Sequence, residues 1–159
     1  AIAAIKNNEK VLLLEKMPQC GLKLRITGKG RCNITNTLPL KEFLTHCGSE
    51  PRFLYPSFSK FFNTELMSFF EELGLNVVIE RGNRVFPESD KSSDVIWALS
   101  KMMKDVGVNV HLNKNVTDVL SDASGVIVKC YDGKDFRGDK CIIATGGLSY
   151  PSTGSTGDG

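Results

Sequence analysis

Long apolar runs, paired cysteines, histidines and a surplus of one charge are what this sequence has little of. No apolar stretch approaches the roughly 20 residues that cross a bilayer as a helix, so no membrane association is expected. The first residues carry no secretory-leader pattern. The five cysteines (Cys20, Cys32, Cys47, Cys130 and Cys141) contain no C-x-x-C pair, and His46 and His111 are the only histidines. Zinc-site spacings are therefore missing, and no metal is expected. An odd, scattered set of thiols also fits a disulfide framework poorly and suits a reduced, cytoplasmic protein. Lys and Arg total 20 against 18 Asp and Glu, a net of +2, so no global charge selects a polyanionic partner. No aromatic residue lies between Ala1 and Thr37, which removes a base-stacking platform from that stretch.

The 159 residues are 41% hydrophobic and 24% charged, ordinary for one soluble domain or one and a fraction. The chain opens without Met on a small-residue helix and closes on Gly157-Asp158-Gly159. A fragment is the expectation. Residues 10–15 (KVLLLE) form an apolar run ending on an acid, as a parallel strand buried on both faces does. Residues 16–36 show no periodicity and are expected to form a long ordered loop. A helix capped by Asn63 should carry Leu66, Phe69, Phe70 and Leu73 on one face and stop at Gly74. A strand is expected over 76–80. A second helix should start near Asp90, present Ile96, Leu99, Met103 and Val106, and end at Gly107. Strands follow at 108–112, 115–121 and 125–131, with residues 122–124 as a turn. Residues 140–144 (KCIIA) are expected as a return strand running into Thr145-Gly146-Gly147. The pattern is α/β, with 37–107 largely helical and 108–147 a meander plus return strand.

Three places carry chemistry. Glu15, at the tip of a strand, suits the ribose hydroxyls of an adenosine, although a carboxylate ends many strands. In Thr27-Gly28-Lys29-Gly30-Arg31-Cys32-Asn33-Ile34-Thr35-Asn36 the glycines let backbone approach a ligand, and Lys29 and Arg31 supply charge. The segment 21–37 holds four cations (Lys23, Arg25, Lys29 and Arg31) and no carboxylate. It is neither a Walker loop nor G-x-G-x-x-G, and a solvated turn is the plain alternative. Cys32 and Ile34 are expected to point inward. Ala144-Thr145-Gly146-Gly147 suits a strand end lying against a cofactor, and the closing Thr-Gly-Asp-Gly could place Asp158 beside a polar ligand. His46 and His111 lack evident partners and read as structural, and Phe58, Phe61 and Phe62 as core. Arg81, Arg84 and Lys91 are either a substrate rim or solvated.

In order, KVLLLEKMPQCGLKLRITGKGRCNITNT, NRVFPESDKSSDVIWAL and CIIATGGLSYPSTGSTGDG resemble the HI0933-like (BaiN/RdsA) family of FAD/NAD(P)-dependent flavoproteins. The resemblance spans essentially the whole chain. It implies a Rossmann-like FAD-binding domain of the glutathione-reductase/fumarate-reductase type, with a helical insertion and small meander. It also implies that the domain is incomplete at both ends: the strand with G-x-G-x-x-G and the C-terminal part are not in this sequence. By the same resemblance Glu15 holds the ribose of FAD, with Lys16 beside it. Lys29, Gly30, Arg31, Cys32 and Asn33 wrap the cofactor, and Val116 offers backbone groups to adenine. Thr145 and Gly146 lie along the nucleotide, and Asp158 approaches the flavin half. The implied activity is reduction of an activated C=C bond in a small molecule or a nucleobase of structured RNA, with NAD(P)H as electron donor. The proton donor is open among Cys32, Tyr150 and residues outside this sequence, and the oligomeric state is not indicated. Two other readings stand beside it: a nucleic-acid-binding module using the 23–31 cations, and an FAD-fold scaffold without turnover.

Overall fold

The computed structural model describes residues 1–5, 9–48 and 50–159. In chain order the elements are α1 (Ile2–Ile5), β1 (Leu12–Leu14), α2 (Leu22–Ile26), β2 (Thr35–Asn36), α3 (Leu40–Leu44) and α4 (Tyr55–Phe58). They continue with α5 (Asn63–Glu72), β3 (Val77–Glu80), β4 (Arg84–Pro87), α6 (Ser92–Asp105), β5 (Asn109–His111), β6 (Val116–Asp122), β7 (Gly125–Cys130) and β8 (Asp135–Gly138). The chain divides into two units, one of Ala1–Lys23 with Ser100–Gly159 and the other of Leu24–Leu99.

In the unit Leu24–Leu99 an antiparallel sheet runs β2-β4-β3. Its central strand, β4, was not expected from the sequence, yet it is the most buried: Val85 is 0% exposed and Phe86 2%. Strands on both sides pair its backbone, and Pro87 sits at its end, where a missing N–H costs least. The core joins Cys32, Phe70, Leu75, Val95 and Ala98, with Ile34 packed against it.

Helix α5 carries the expected apolar face, and Leu75 N donates to Phe70 O past its end. Asn63 is not its cap. It is the first helical residue, and Phe62 N is capped instead by the Glu65 carboxylate at 3.0 Å. Hydrogen bonds from the backbone N–H groups of Glu65 and Phe62 hold that carboxyl below the usual range. In α6 the buried residues are Ser92, Val95 and Ala98, and the expected stripe from Ile96 is only half-buried. Apolar residues there occupy more than one face, so periodicity alone does not select which is covered. Buried Ser92 is satisfied by donating to Arg25 O at 2.9 Å. Phe43, Phe58 and Phe62 form an aromatic cluster with ring centroids 5.1 to 5.7 Å apart, whereas Phe61 is half exposed.

In the other unit β1 and β5 pair in parallel. The ladder runs on: Glu15 N donates to His111 O and Lys114 N to Glu15 O, both at 2.9 Å. Burial of β1 on both faces does not hold: Leu12 is 37% exposed, and Leu13 and Leu14 are only half-buried. β6, β7 and β8 form an antiparallel meander. Its first turn closes on Asp122, which accepts from Ser124 N and Oγ at 2.7 and 2.6 Å. A Cβ on Gly125 would meet Gly138 O at 2.6 Å, so β8 can approach only a glycine there. β8 itself was not expected.

Two further expectations fail. The segment 16–36 is not wholly loop, since it contains α2, a 3-10 turn at Thr27–Gly30 and β2. The return strand at 140–144 is irregular, and Ile142 is 80% exposed. An apolar run becomes a strand only with a ladder partner, and none is present among the described residues. Among those residues no helix is long and apolar enough to cross a membrane, and no metal-holding cluster occurs.

Candidate functional site

The unit with β1 gathers several candidate residues near that strand's carboxyl end. Glu15 leaves β1 and its Oε1 accepts from Met17 N at 2.9 Å, a local turn that orients the carboxylate. Its Oε2 has no hydrogen-bond partner among the described residues. Burial, then the charge of Glu15, push the Cys20 thiol up.

Lys16 and Asp158 form a pair that no local pattern announces. Lys16 Nζ donates to Asp158 Oδ2 at 2.8 Å and to Thr156 Oγ1 at 2.7 Å, and Thr156 Oγ1 donates to Asp158 Oδ1 at 2.8 Å. The Lys16 hydrogen bond, followed by that of Thr156, holds the Asp158 carboxyl below the usual range. Nearby, Lys23 Nζ donates to Ser149 O and Oγ at 2.7 and 2.6 Å and lies 4.4 Å from the Tyr150 ring centroid. Two lysines thus tie 149–158 to 16–23. Within that loop Ser155 is buried. Thr145 and Gly146 are exposed, and Val116 begins β6 opposite Cys130 just before a bulge. His111 packs edge-on against Phe136, as a structural histidine does.

The loop 27–33 belongs to the unit Leu24–Leu99. Gly28 and Lys29 both have left-handed backbone (φ 55° and 59°), and Cys32 has φ 62°. Cys32 N donates to Thr27 O at 3.0 Å, and Thr27 Oγ1 donates to Leu24 O at 2.7 Å. The inward expectation for Cys32 holds: it is 2% exposed, and burial pushes its thiol up. That removes it as an accessible proton donor or side-chain ligand. With its amide nitrogen facing two carbonyls, Asn33 donates to Val85 O and Thr35 O, both at 3.1 Å.

Arg31 differs from its sequence reading. Its Nε donates to Asp90 Oδ1 at 2.7 Å and its Nη1 to Glu80 Oε2 at 3.2 Å, while Nη2 contacts both carboxylates. The guanidinium lies 4.1 Å from the Phe86 ring centroid. The cation excess of 21–37 is thus partly neutralised by carboxylates that sequence reading did not connect with it. Arg84 is exposed, lies 5.6 Å from the Phe86 ring centroid and donates to Arg81 O at 3.1 Å.

The sequence model of the HI0933-like protein Rossmann domain matches residues 1–159. A 3-dehydro-bile acid delta(4,6)-reductase of Clostridium scindens is 32% identical over 161 positions, covering 100% of this chain and 38% of that protein. A ribosomal RNA dihydrouridine synthase of Escherichia coli is 25% identical, covering 92% of this chain and 36% of that protein. The chain therefore spans well under half the length of these curated relatives. Among solved structures, a Diels-Alderase of pyrroindomycin biosynthesis superposes with TM-score 0.51 at 16% identity, over 86% of this chain and 27% of that one. An amino acid oxidase of nikkomycin biosynthesis gives TM-score 0.50 at 14% identity, over 93% and 48%. At such identities the likeness concerns the fold alone. The α/β fold is Rossmann-like, and the chain belongs to the HI0933-like family.

Proposed function

We propose that the protein containing this chain is an FAD-dependent oxidoreductase that reduces an activated C=C bond, with NAD(P)H as electron donor. The carrying observation is Glu15: it stands at the carboxyl end of a parallel strand pair, where α/β folds receive ligands. One of its carboxylate oxygens is fixed by Met17 N and the other is open. A ribose diol donates two hydroxyls, and an oriented, open carboxylate is the matching acceptor.

In this reading Glu15 holds the ribose of FAD and Val116 offers backbone groups to adenine. Thr145 and Gly146 line the nucleotide, and Lys16 keeps Asp158 ionised and aimed. Lys29, Gly30 and Asn33 present polar groups from their own loop. The Arg31 and Cys32 side chains are committed elsewhere, so only their backbone is available to a ligand. Bound FAD would supply the hydride chemistry that no side chain of this chain provides. The domain assignment is also proposed: residues 37–107 as an insertion within an FAD-binding domain, and 108–147 as its meander and return segment. A reducing, cytoplasmic setting fits five free thiols. The substrate is a small molecule or a nucleobase of structured RNA, since the relatives' names include a bile-acid reductase and a ribosomal RNA dihydrouridine synthase.

The full-length protein should be yellow as purified, and NAD(P)H should bleach its flavin absorbance. Glu15→Ala should retain less FAD through gel filtration. A colourless protein that cannot be reconstituted with FAD ends this proposal, and unchanged retention in Glu15→Ala removes the ribose role.

A further inference from the structure

We infer that Arg31 is a positioning residue that clamps the loop 27–33 and is not itself a ligand for an anion. All three guanidinium nitrogens of Arg31 already face carboxylate oxygens of Glu80 and Asp90, with Phe86 against the plane. Two negative charges surround one positive charge, so the cluster repels an approaching phosphate or carboxylate. Glu80 ends β3 and Asp90 stands just before α6, so one side chain joins the loop, a strand and a helix start. The loop needs such a tie. Lys29 and Cys32 hold left-handed backbone conformations that persist only when their surroundings over-determine them. Asp90, the far anchor, is itself left-handed at φ 57°. Lys29 is exposed and makes no ion pair among the described residues.

The two roles open to Arg31 differ in sign when its partners are changed. Were Arg31 an anion ligand, Glu80→Gln or Asp90→Asn would release its charge, and anion binding would hold or strengthen. As a clamp, it loses its anchor, and both variants behave like Arg31→Ala. In the full-length protein, amide hydrogen exchange over 27–33 should speed up roughly tenfold or more in Glu80→Gln, Asp90→Asn and Arg31→Ala. Lys29→Met should leave that exchange unchanged. Arg31→Lys, which keeps the charge but loses the fork, should resemble Arg31→Ala. If Arg31→Ala does not fold, the two carboxylate variants decide. Unchanged exchange in both carboxylate variants, or tighter FAD retention in either, overturns the clamp. The retention arm rests on the flavoprotein reading. If the wild type holds no FAD that reading fails alone, and exchange still decides the clamp.

Discussion

Gly28 shows how little freedom the loop 27–33 has. Its φ is +55°, and a Cβ there would stand 2.9 Å from Asn33 N and 3.1 Å from Phe86 Cε1. Neither neighbour is a flexible chain end that can swing aside. Gly28→Ala combines a left-handed penalty with overpacking and should cost about 2 kcal/mol or more, read as a lower urea midpoint. An unchanged midpoint would mean that the loop relaxes freely. Asp158 offers a test by titration. Its folded-state carboxyl is depressed by Lys16, so the pair's contribution is present above the ordinary aspartate range and is lost as pH falls through the depressed value. Carboxyl-carbon NMR should place Asp158 below the ordinary aspartate range, and in Lys16→Met it should return toward that range. No movement would show that Lys16 does not set the charge of Asp158. Both groups are partly exposed, so the effect belongs to the loop 149–158 and not to global stability.

At the scale of elements, Asn63 decides how α5 is attached. Its Nδ2 donates to Asn36 O at 2.8 Å and Leu38 O at 2.9 Å, while its Oδ1 accepts from Thr64 N. The amide thus ties the first turn of α5 to the strand β2 and the residues after it. A cap and a tether respond oppositely to aspartate. As a cap, Asn63→Asp would be harmless. As a tether, it sets a carboxylate against two carbonyls. Asn63→Ala should cost about 1 to 2 kcal/mol, and Asn63→Asp should cost more despite the better helix-start propensity of aspartate. Equal melting temperatures for the aspartate variant and wild type would restore the cap. The helix was legible in its 3.6-residue pattern, but the tether was not, because its acceptors are backbone groups more than 20 positions away.

For the whole molecule, the proposed cofactor gives a thermodynamic handle. A ligand bound only by the native state at about 100 times its dissociation constant adds about 2.7 kcal/mol. Full-length protein should therefore melt higher with excess FAD, and Glu15→Ala should lose much of that shift. Equal melting with and without FAD would oppose the cofactor reading. Side-chain partners also clarify the charge pattern. Two of the four cations of 21–37 are already engaged: Lys23 by Ser149 and Tyr150, and Arg31 by Glu80 and Asp90. That leaves less free charge for a nucleic-acid surface than the sequence suggested.

Local periodicity and turn chemistry were enough to place α5, α6, the parallel strand ending on Glu15, and the Asp122 turn. Each depends on neighbours within a few positions. The three ordered motifs were likewise enough to indicate the family. Only tertiary structure decided which charges are free. Lys16 meets Asp158 across 142 positions, and Arg31 meets Glu80 across 49. It also decided that β4 lies at the centre of a sheet, and that 140–144 is irregular. Helix and strand periods are properties of the local chain, whereas strand pairing and charge neutralisation depend on distances in space.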